Sequence, residues 1–168
     1  MWPLVVIEAR AEVVDRVVAT VDEAIVTASD VRLEASLTRW DRSPSPFFAE
    51  GDALERAIDA SILRRLAGDL QLYQPADSEV VARIEAMKAR VGAEDPTGPG
   101  WRALLEDGGV DDDGLVAAMR QRIVVERYLA RTLTPPVSDL PRWDAACRAL
   151  LDQARRRFRV RRIAEEPR

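Results

Sequence analysis

Few residues in this chain could do covalent or metal chemistry. Histidine is absent, which excludes Ser-His-Asp and Cys-His catalysis and removes the commonest metal ligand. Cys147 is the single cysteine, so it forms no internal disulfide and builds no usual zinc site. Its apolar neighbours Leu150 and Leu151 favour a buried structural thiol. The run Asp111 to Asp113 is better explained as a helix cap than as an acid-base site.

Glycine-rich phosphate-binding or dinucleotide-binding motifs are also missing from the sequence. With neither a nucleophile and base pair nor a metal-ligand cluster, the sequence predicts a protein that is not an enzyme. We therefore expect no catalytic residue, no metal and no cofactor.

The densest charge run lies near the C-terminus. It consists of Arg155, Arg156, Arg157, Arg159, Arg161 and Arg162. Such a run allows a nucleic-acid or acidic-surface binding module as one hypothesis. The chain as a whole has a net charge of −4, which opposes polyanions. We expect no nucleic-acid partner and interpret these arginines as solvated charges of a helix end and a strand.

The length of 168 residues suits one domain with a sizeable core. Hydrophobic residues make up 47% and charged residues 32%, typical of globular chains. Every unbroken apolar run is far shorter than the roughly 20 residues of a membrane-spanning helix, so membrane insertion is not expected. Residues 1–11 have a short apolar patch and end in Ala9-Arg10-Ala11. They are either a signal-peptide remnant or an N-terminal strand.

Strand signals occur at the two ends of the chain. Val13 to Val21 and Ile25 to Thr27 are rich in β-branched residues and flank the acidic turn at Asp22, which predicts a hairpin. Phe158 to Ile163 partly alternates, as a half-exposed strand does. Since a terminal strand needs a partner, we predict that it pairs with the N-terminal hairpin.

Between these strands the periodicity predicts helices. The first runs from an N-cap at Ser29 to Trp40, and prolines end it. The second runs from Asp52 to Tyr73 with an apolar stripe every four residues: Leu54, Ile58, Ile62, Leu66 and Leu70. The third, capped by Asp77, ends at Gly92 and has one apolar face: Val80, Val81, Ile84, Met87 and Val91.

Three further helices complete the prediction. A short one covers Trp101 to Gly108, and a long one follows the cap at Asp111 to about Leu133. After the proline-rich break Thr134 to Pro141, the last helix begins at about Trp143. The fold class is thus mostly α, with five to six helices and a small antiparallel sheet.

The opening segment Val14 to Val31 resembles that of SurA-type periplasmic chaperones, which show a VD-x-VVA-x-V-N-x-x-x-I-T-x-SD pattern before their first helix. The following helices match the family in length, capping and spacing. The resemblance divides the single domain of residues 1–168 into an N-terminal module (12–133), a linker (134–141) and a C-terminal helix and strand (142–168) that fold back. Asp22 stands where the family often has Asn, which a turn also accepts.

The resemblance implies an ATP-independent holdase that binds unfolded exported or outer-membrane proteins in the periplasm. Parvulin domains, which family members usually insert before the C-terminal segment, are replaced here by the short linker, so prolyl isomerase activity is not expected. We expect client contacts from large aromatic and methionine side chains. The candidates are Trp40, Phe47, Phe48, Trp101, Met119 and Tyr128.

Three alternatives stay open. Each large apolar residue could instead belong to the core, which is the more common role for such side chains. A trigger-factor-like cytosolic chaperone would have a similar peptide-binding domain. A homodimer could form by swapping the N-terminal hairpin or the C-terminal strand.

Overall fold

The computed structural model describes residues 15–41, 51–98 and 100–163. Within them lie six α-helices and three strands, in an order that begins and ends with a strand. The strands are β1 (Val17–Val21), β2 (Ala24–Thr27) and β3 (Val160–Arg162). The helices are α1 (Ala28–Trp40), α2 (Ala53–Ala67), α3 (Asp77–Glu94), α4 (Trp101–Gly108), α5 (Asp112–Thr132) and α6 (Leu140–Arg155), and a short 3-10 helix covers Gln71–Tyr73.

The sheet joins the two ends of the described chain. Its strand order is β2-β1-β3, and both pairings are antiparallel. Asp22, in the hairpin turn, has a φ of 50° and accepts a hydrogen bond through Oδ1 from the Arg159 backbone N–H at 2.7 Å. The prediction that the terminal strand pairs with the hairpin is confirmed, and so is the fold class.

The N-cap of α1 differs from the predicted one, whereas the N-cap of α5 agrees with the prediction. Thr27, and not Ser29, is the N-cap of α1: its hydroxyl accepts from the Asp30 N–H while the Asp30 carboxylate accepts from the Thr27 N–H. This reciprocal capping box moves the helix start to Ala28. For α5 the predicted cap is confirmed, because Asp111 Oδ1 accepts from the Gly114 N–H at 2.7 Å.

Among the described residues three apolar clusters form the core, and α2 contributes to two of them. The first joins α1, α3, α4 and α5 around Leu37, Met87 and Met119. In the second, Ile58 and Ile62 of α2 pack under the sheet. The third joins α2, α5 and α6, and it contains Leu63, Val125, Leu129, Trp143, Cys147 and Leu151.

The predicted second helix is too long. It ends at Ala67 because Gly68 adopts a φ of 61°, a left-handed conformation that stops helical hydrogen bonding. Leu70 therefore leaves the apolar stripe and is 58% exposed. On α3, Val81 also points outward, although the sequence placed it on the buried face.

Other helix ends differ by a few residues. The third helix continues past Gly92 to Glu94, and its N-cap is Ala76 with no side-chain hydrogen bond, so Asp77 lies inside the first turn. The last helix begins at Leu140, earlier than the predicted Trp143, because a proline in the first turn needs no backbone donor. None of the described helices combines the length and the apolar character needed to cross a membrane.

Candidate functional site

A groove of about 520 Å³ opens between α1, α2 and α5. The larger residues Arg64, Gln121 and Val125 also line it, but most of its lining on α2 and α5 consists of residues with small side chains at helical spacing. They are Ala57, Ala60 and Ser61 on α2, and Gly114, Ala117 and Ala118 on α5. Larger side chains in the neighbouring core clusters hold the three helices apart, so these small residues leave the space between them unfilled.

Apolar groups from three other places complete the walls. Leu33 and Leu37 of α1 face the groove, Val110 closes it at the connection between α4 and α5, and Ile25 and Val26 of β2 lie along one side. Ile25 is 61% exposed, whereas Val26 is buried. The groove is partly open to solvent and combines these apolar side chains with polar ones, since Asp30, Arg64, Asp111 and Gln121 line it as well.

The floor of the groove is charged. Glu34 of α1 and Arg122 of α5 both line it and are almost completely buried. Arg122 Nη1 lies 3.6 Å from Glu34 Oε1, and its Nε lies 3.0 Å from Asp41 Oδ2 at the end of α1. This ion pair connects α1 to α5 directly under the groove.

The ion pairs extend away from the groove on both sides. Arg83 of α3 lies 2.6 Å from Asp41 and 2.6 Å from Glu126, and Arg56 of α2 lies 3.8 Å from Glu34. These residues and Arg122 come from four helices and comprise three carboxylates and three guanidinium groups. Because the charges balance, the network can remain buried without a counterion.

Burial shifts the ionisation of this network. It raises the pKa of Glu34, despite the opposing attraction of Arg122 and Arg56, and it lowers the pKa of Arg122. Burial alone would also lower the pKa of Arg83, but hydrogen bonds to Glu126 and Asp41 hold it above its ordinary value. A paired guanidinium is a poor proton carrier, so the network is suited to fixing the helices and not to acid-base chemistry.

The predicted contact residues lie elsewhere, and none of the four in the described part lines the groove. Trp40 and Met119 belong to the first core cluster, with Met119 fully buried. Trp101 is half-buried and packs on Trp40 with ring centroids 5.2 Å apart. Met119 and Trp40 therefore pack in the core of the folded chain, which is the alternative that the sequence had left open.

Tyr128 is half-buried and meets Tyr73 edge to face, with centroids 5.8 Å apart. Phe47 and Phe48 lie outside the described residues. The groove was not predicted from the sequence, because large aromatic and methionine side chains were the expected sign of a binding surface. The available signal was the opposite one: small residues three and four apart, at Ala57, Ala60 and Ser61, on an amphipathic helix.

The arginine run divides into two groups. Arg155 donates to Asp59 through Nε at 2.7 Å and to Glu55 through Nη1 at 3.0 Å. Arg162 also donates to Glu55, through Nε at 2.9 Å. These two residues fasten the C-terminal segment to α2, although Arg162 is exposed like the remaining members of the run, Arg156, Arg157, Arg159 and Arg161.

Cys147 is buried in the third core cluster, and burial raises its pKa to about 12. A thiol with that pKa is not a nucleophile at neutral pH. No group of three or more metal-ligating side chains is found in the part of the chain that the structure describes.

Comparisons with known proteins do not assign the chain to a family. No protein-family model matches the chain, and a search of curated proteins returns no significant match. The geometry of the groove therefore carries the functional argument.

Proposed function

We propose that the protein is an ATP-independent holdase that binds extended apolar segments of unfolded proteins in the groove between α1, α2 and α5. The observation that carries this proposal is the partly open groove of about 520 Å³, which is lined by apolar and small residues together with charged ones. Its volume lies in the range of roughly 300–1,000 Å³ that is typical of ligand-binding pockets.

The dimensions suit an extended chain. The α1 wall from Ser29 to Leu37 is about 12 Å long at 1.5 Å per helical residue. Three to four residues of extended polypeptide cover that length at roughly 3.3 Å each. Small wall residues admit side chains of varied size, and a short contact keeps each interaction weak enough for release.

The resemblance of residues 14–31 to SurA-type chaperones supports the choice of client. We propose exported or outer-membrane proteins as clients and the periplasm as the location. Holding requires only that the protein bind unfolded chains in preference to folded ones. The proposed function therefore needs no catalytic residue, nucleotide or metal.

The test measures light scattering after a urea-unfolded outer-membrane β-barrel protein is diluted into buffer without nucleotide. The full chain at stoichiometric amounts should suppress aggregation. The variant Ala117→Phe places a large side chain in the groove from an exposed wall position, so it should suppress aggregation less well.

The matched control is Ala130→Phe, since Ala130 is also exposed on α5 but does not line the groove. It should behave like the unmodified protein. If the full chain fails to suppress aggregation at several-fold excess, the holdase proposal is wrong. If Ala117→Phe performs as well as Ala130→Phe, the groove is not the binding site.

A further inference from the structure

One edge of the sheet borders the groove. The strand order β2-β1-β3 leaves β2 at an edge, and no strand in the described part of the chain pairs with its outer side. An edge strand presents backbone N–H and C=O groups that can pair with another chain.

The register identifies which groups point outward. Val21 faces Ala24 across a turn of two residues, and Ala19 faces Val26. In an antiparallel hairpin closed in this way, residues 24 and 26 bond to β1 and the residue between them points away. The Ala28 N–H continues the alternation by donating to the Arg16 carbonyl at 2.8 Å. The N–H and C=O of Ile25 therefore face outward.

Thr27 also faces outward by this alternation, but its N–H is occupied. It donates to Asp30 Oδ2 at 2.8 Å within the capping box of α1. Ile25 is thus the β2 residue whose two backbone groups are both directed away from β1.

The groove runs along this edge and not over one face of the sheet. Consecutive residues of a strand point their side chains to opposite faces. Ile25 and Val26 are consecutive, yet both line the groove. A chain lying in the groove is therefore beside the outward backbone groups of Ile25.

We propose that an extended client segment adds to β2 as a further strand, exchanging two backbone hydrogen bonds with Ile25 while alternate side chains enter the groove. This inference rests on the proposed holdase function and specifies how the client is held. Backbone pairing takes no account of side-chain identity, so it suits a protein that binds clients of varied sequence.

Two features of the site argue for a polypeptide strand as the occupant. The backbone N–H and C=O of Ile25 have no hydrogen-bond partner in the described part of the chain, and a segment with its own N–H and C=O groups at strand spacing can pair with them. The apolar walls beside it then accept side chains that alternate with those groups. The hydrogen bonds are few, so the complex is expected to be weak and rapidly reversible.

The test uses fluorescence anisotropy with the full chain and a labelled peptide of alternating valine and serine. Two further peptides carry N-methyl groups, one on every valine amide and one on every serine amide. Only one of these two sets of amides can face Ile25 while the valines occupy the groove. We expect one methylated peptide to bind about tenfold more weakly and the other to bind like the parent.

A pair of protein variants tests the same hydrogen bonds by changing Ile25 in place of the peptide. Ile25→Pro removes the outward N–H, which an edge strand tolerates because that group does not bond to β1. Ile25→Ala removes most of the side chain and keeps the N–H. Ile25→Pro should weaken peptide binding more than Ile25→Ala, with both variants retaining the circular dichroism spectrum of the parent.

Each outcome separates strand addition from the holdase function. If both methylated peptides bind like the parent and the two variants are equal, side chains alone hold the client and strand addition is wrong, while the holdase proposal stands. If Ile25→Pro abolishes a dimer seen by sedimentation, a second copy occupies the edge, which also overturns the proposal. If no peptide binds and aggregation is not suppressed, the holdase function itself is wrong.

Discussion

Replacing Arg122 by methionine should destabilise the protein strongly. The guanidinium group is 3% exposed and lies between two carboxylates, Glu34 and Asp41, that are themselves buried. Methionine fills a similar length of space without the charge. The variant therefore leaves two carboxylates with less compensation in a region where solvent cannot screen them.

The size of the destabilisation depends on the ion pairs that Glu34 and Asp41 keep in Arg122→Met. Breaking a buried ion pair costs about 3–5 kcal/mol because the abandoned partner stays buried and charged. Asp41 keeps Arg83 at 2.6 Å and Glu34 keeps Arg56 at 3.8 Å. We therefore expect the lower end, about 3 kcal/mol, which corresponds to a fall in Tm of about 6–12 °C for a chain of this size.

Urea unfolding followed by tryptophan fluorescence measures the loss, since Trp40 and Trp143 are buried reporters in two core clusters. The matched control is Arg148→Met on α6. Its ion pair with Asp144 is solvent-exposed, so its loss should cost about 0.5 kcal/mol or less. Adding Glu34→Gln to Arg122→Met should recover part of the stability, because it neutralises one abandoned carboxylate.

A loss smaller than about 1 kcal/mol in Arg122→Met would refute this reasoning, since it would mean that water or a rearrangement compensates the carboxylates. A loss equal to that of Arg148→Met would lead to the same conclusion. In either case the charged floor of the groove would not be the element that holds α1 against α5.

Three further predictions concern other parts of the fold. Burial raises the pKa of Glu34, so the folded state binds its proton more tightly than the unfolded chain does. In urea titrations the free energy of unfolding relative to Glu34→Gln should therefore fall as the pH rises above about 4.5, the ordinary pKa of a glutamate. A difference that stays constant with pH would contradict this reasoning. Cys147, with its pKa raised to about 12, should react with a thiol-specific disulfide reagent in urea and resist this reagent in the folded protein. Rapid labelling of the folded protein would contradict this prediction, because it would show that the thiol is accessible. Thr27→Ala should lower the free energy of unfolding by about 1 kcal/mol through loss of the capping box, while Thr27→Ser should stay close to the parent. Equal losses in the two variants would show that the hydroxyl does not cap α1.

Local signals predicted most of the secondary structure. The β-branched runs around Asp22 predicted the hairpin, and the cap at Asp111 predicted the start of the long helix. The errors arose where one local signal competed with another. The four-residue leucine spacing continued through Gly68, whose left-handed conformation ended the helix, and two neighbouring hydroxyls at Thr27 and Ser29 offered alternative caps.

The candidate site was harder to predict from the sequence than the secondary structure was. Arg122 lies on α5 among apolar residues, and nothing in its neighbourhood in the sequence identifies Glu34 or Asp41 as its partners. These partners precede it by more than 80 positions. The expectation that aromatic and methionine side chains contact clients also pointed to Trp40 and Met119, which the helices pack into the core.

Capping, periodicity and composition act over a few residues, so the sequence alone was enough to predict most of the helices and strands and to exclude histidine-based chemistry. It also predicted that the last strand pairs with the first hairpin, since an isolated terminal strand has no other partner. The tertiary structure alone decided that Ala57, Ala60 and Ala117 would border an open groove, and that its floor would be an ion pair. Whether a small residue leaves a space depends on the distance between helices, and that distance is set by side chains far away in the chain.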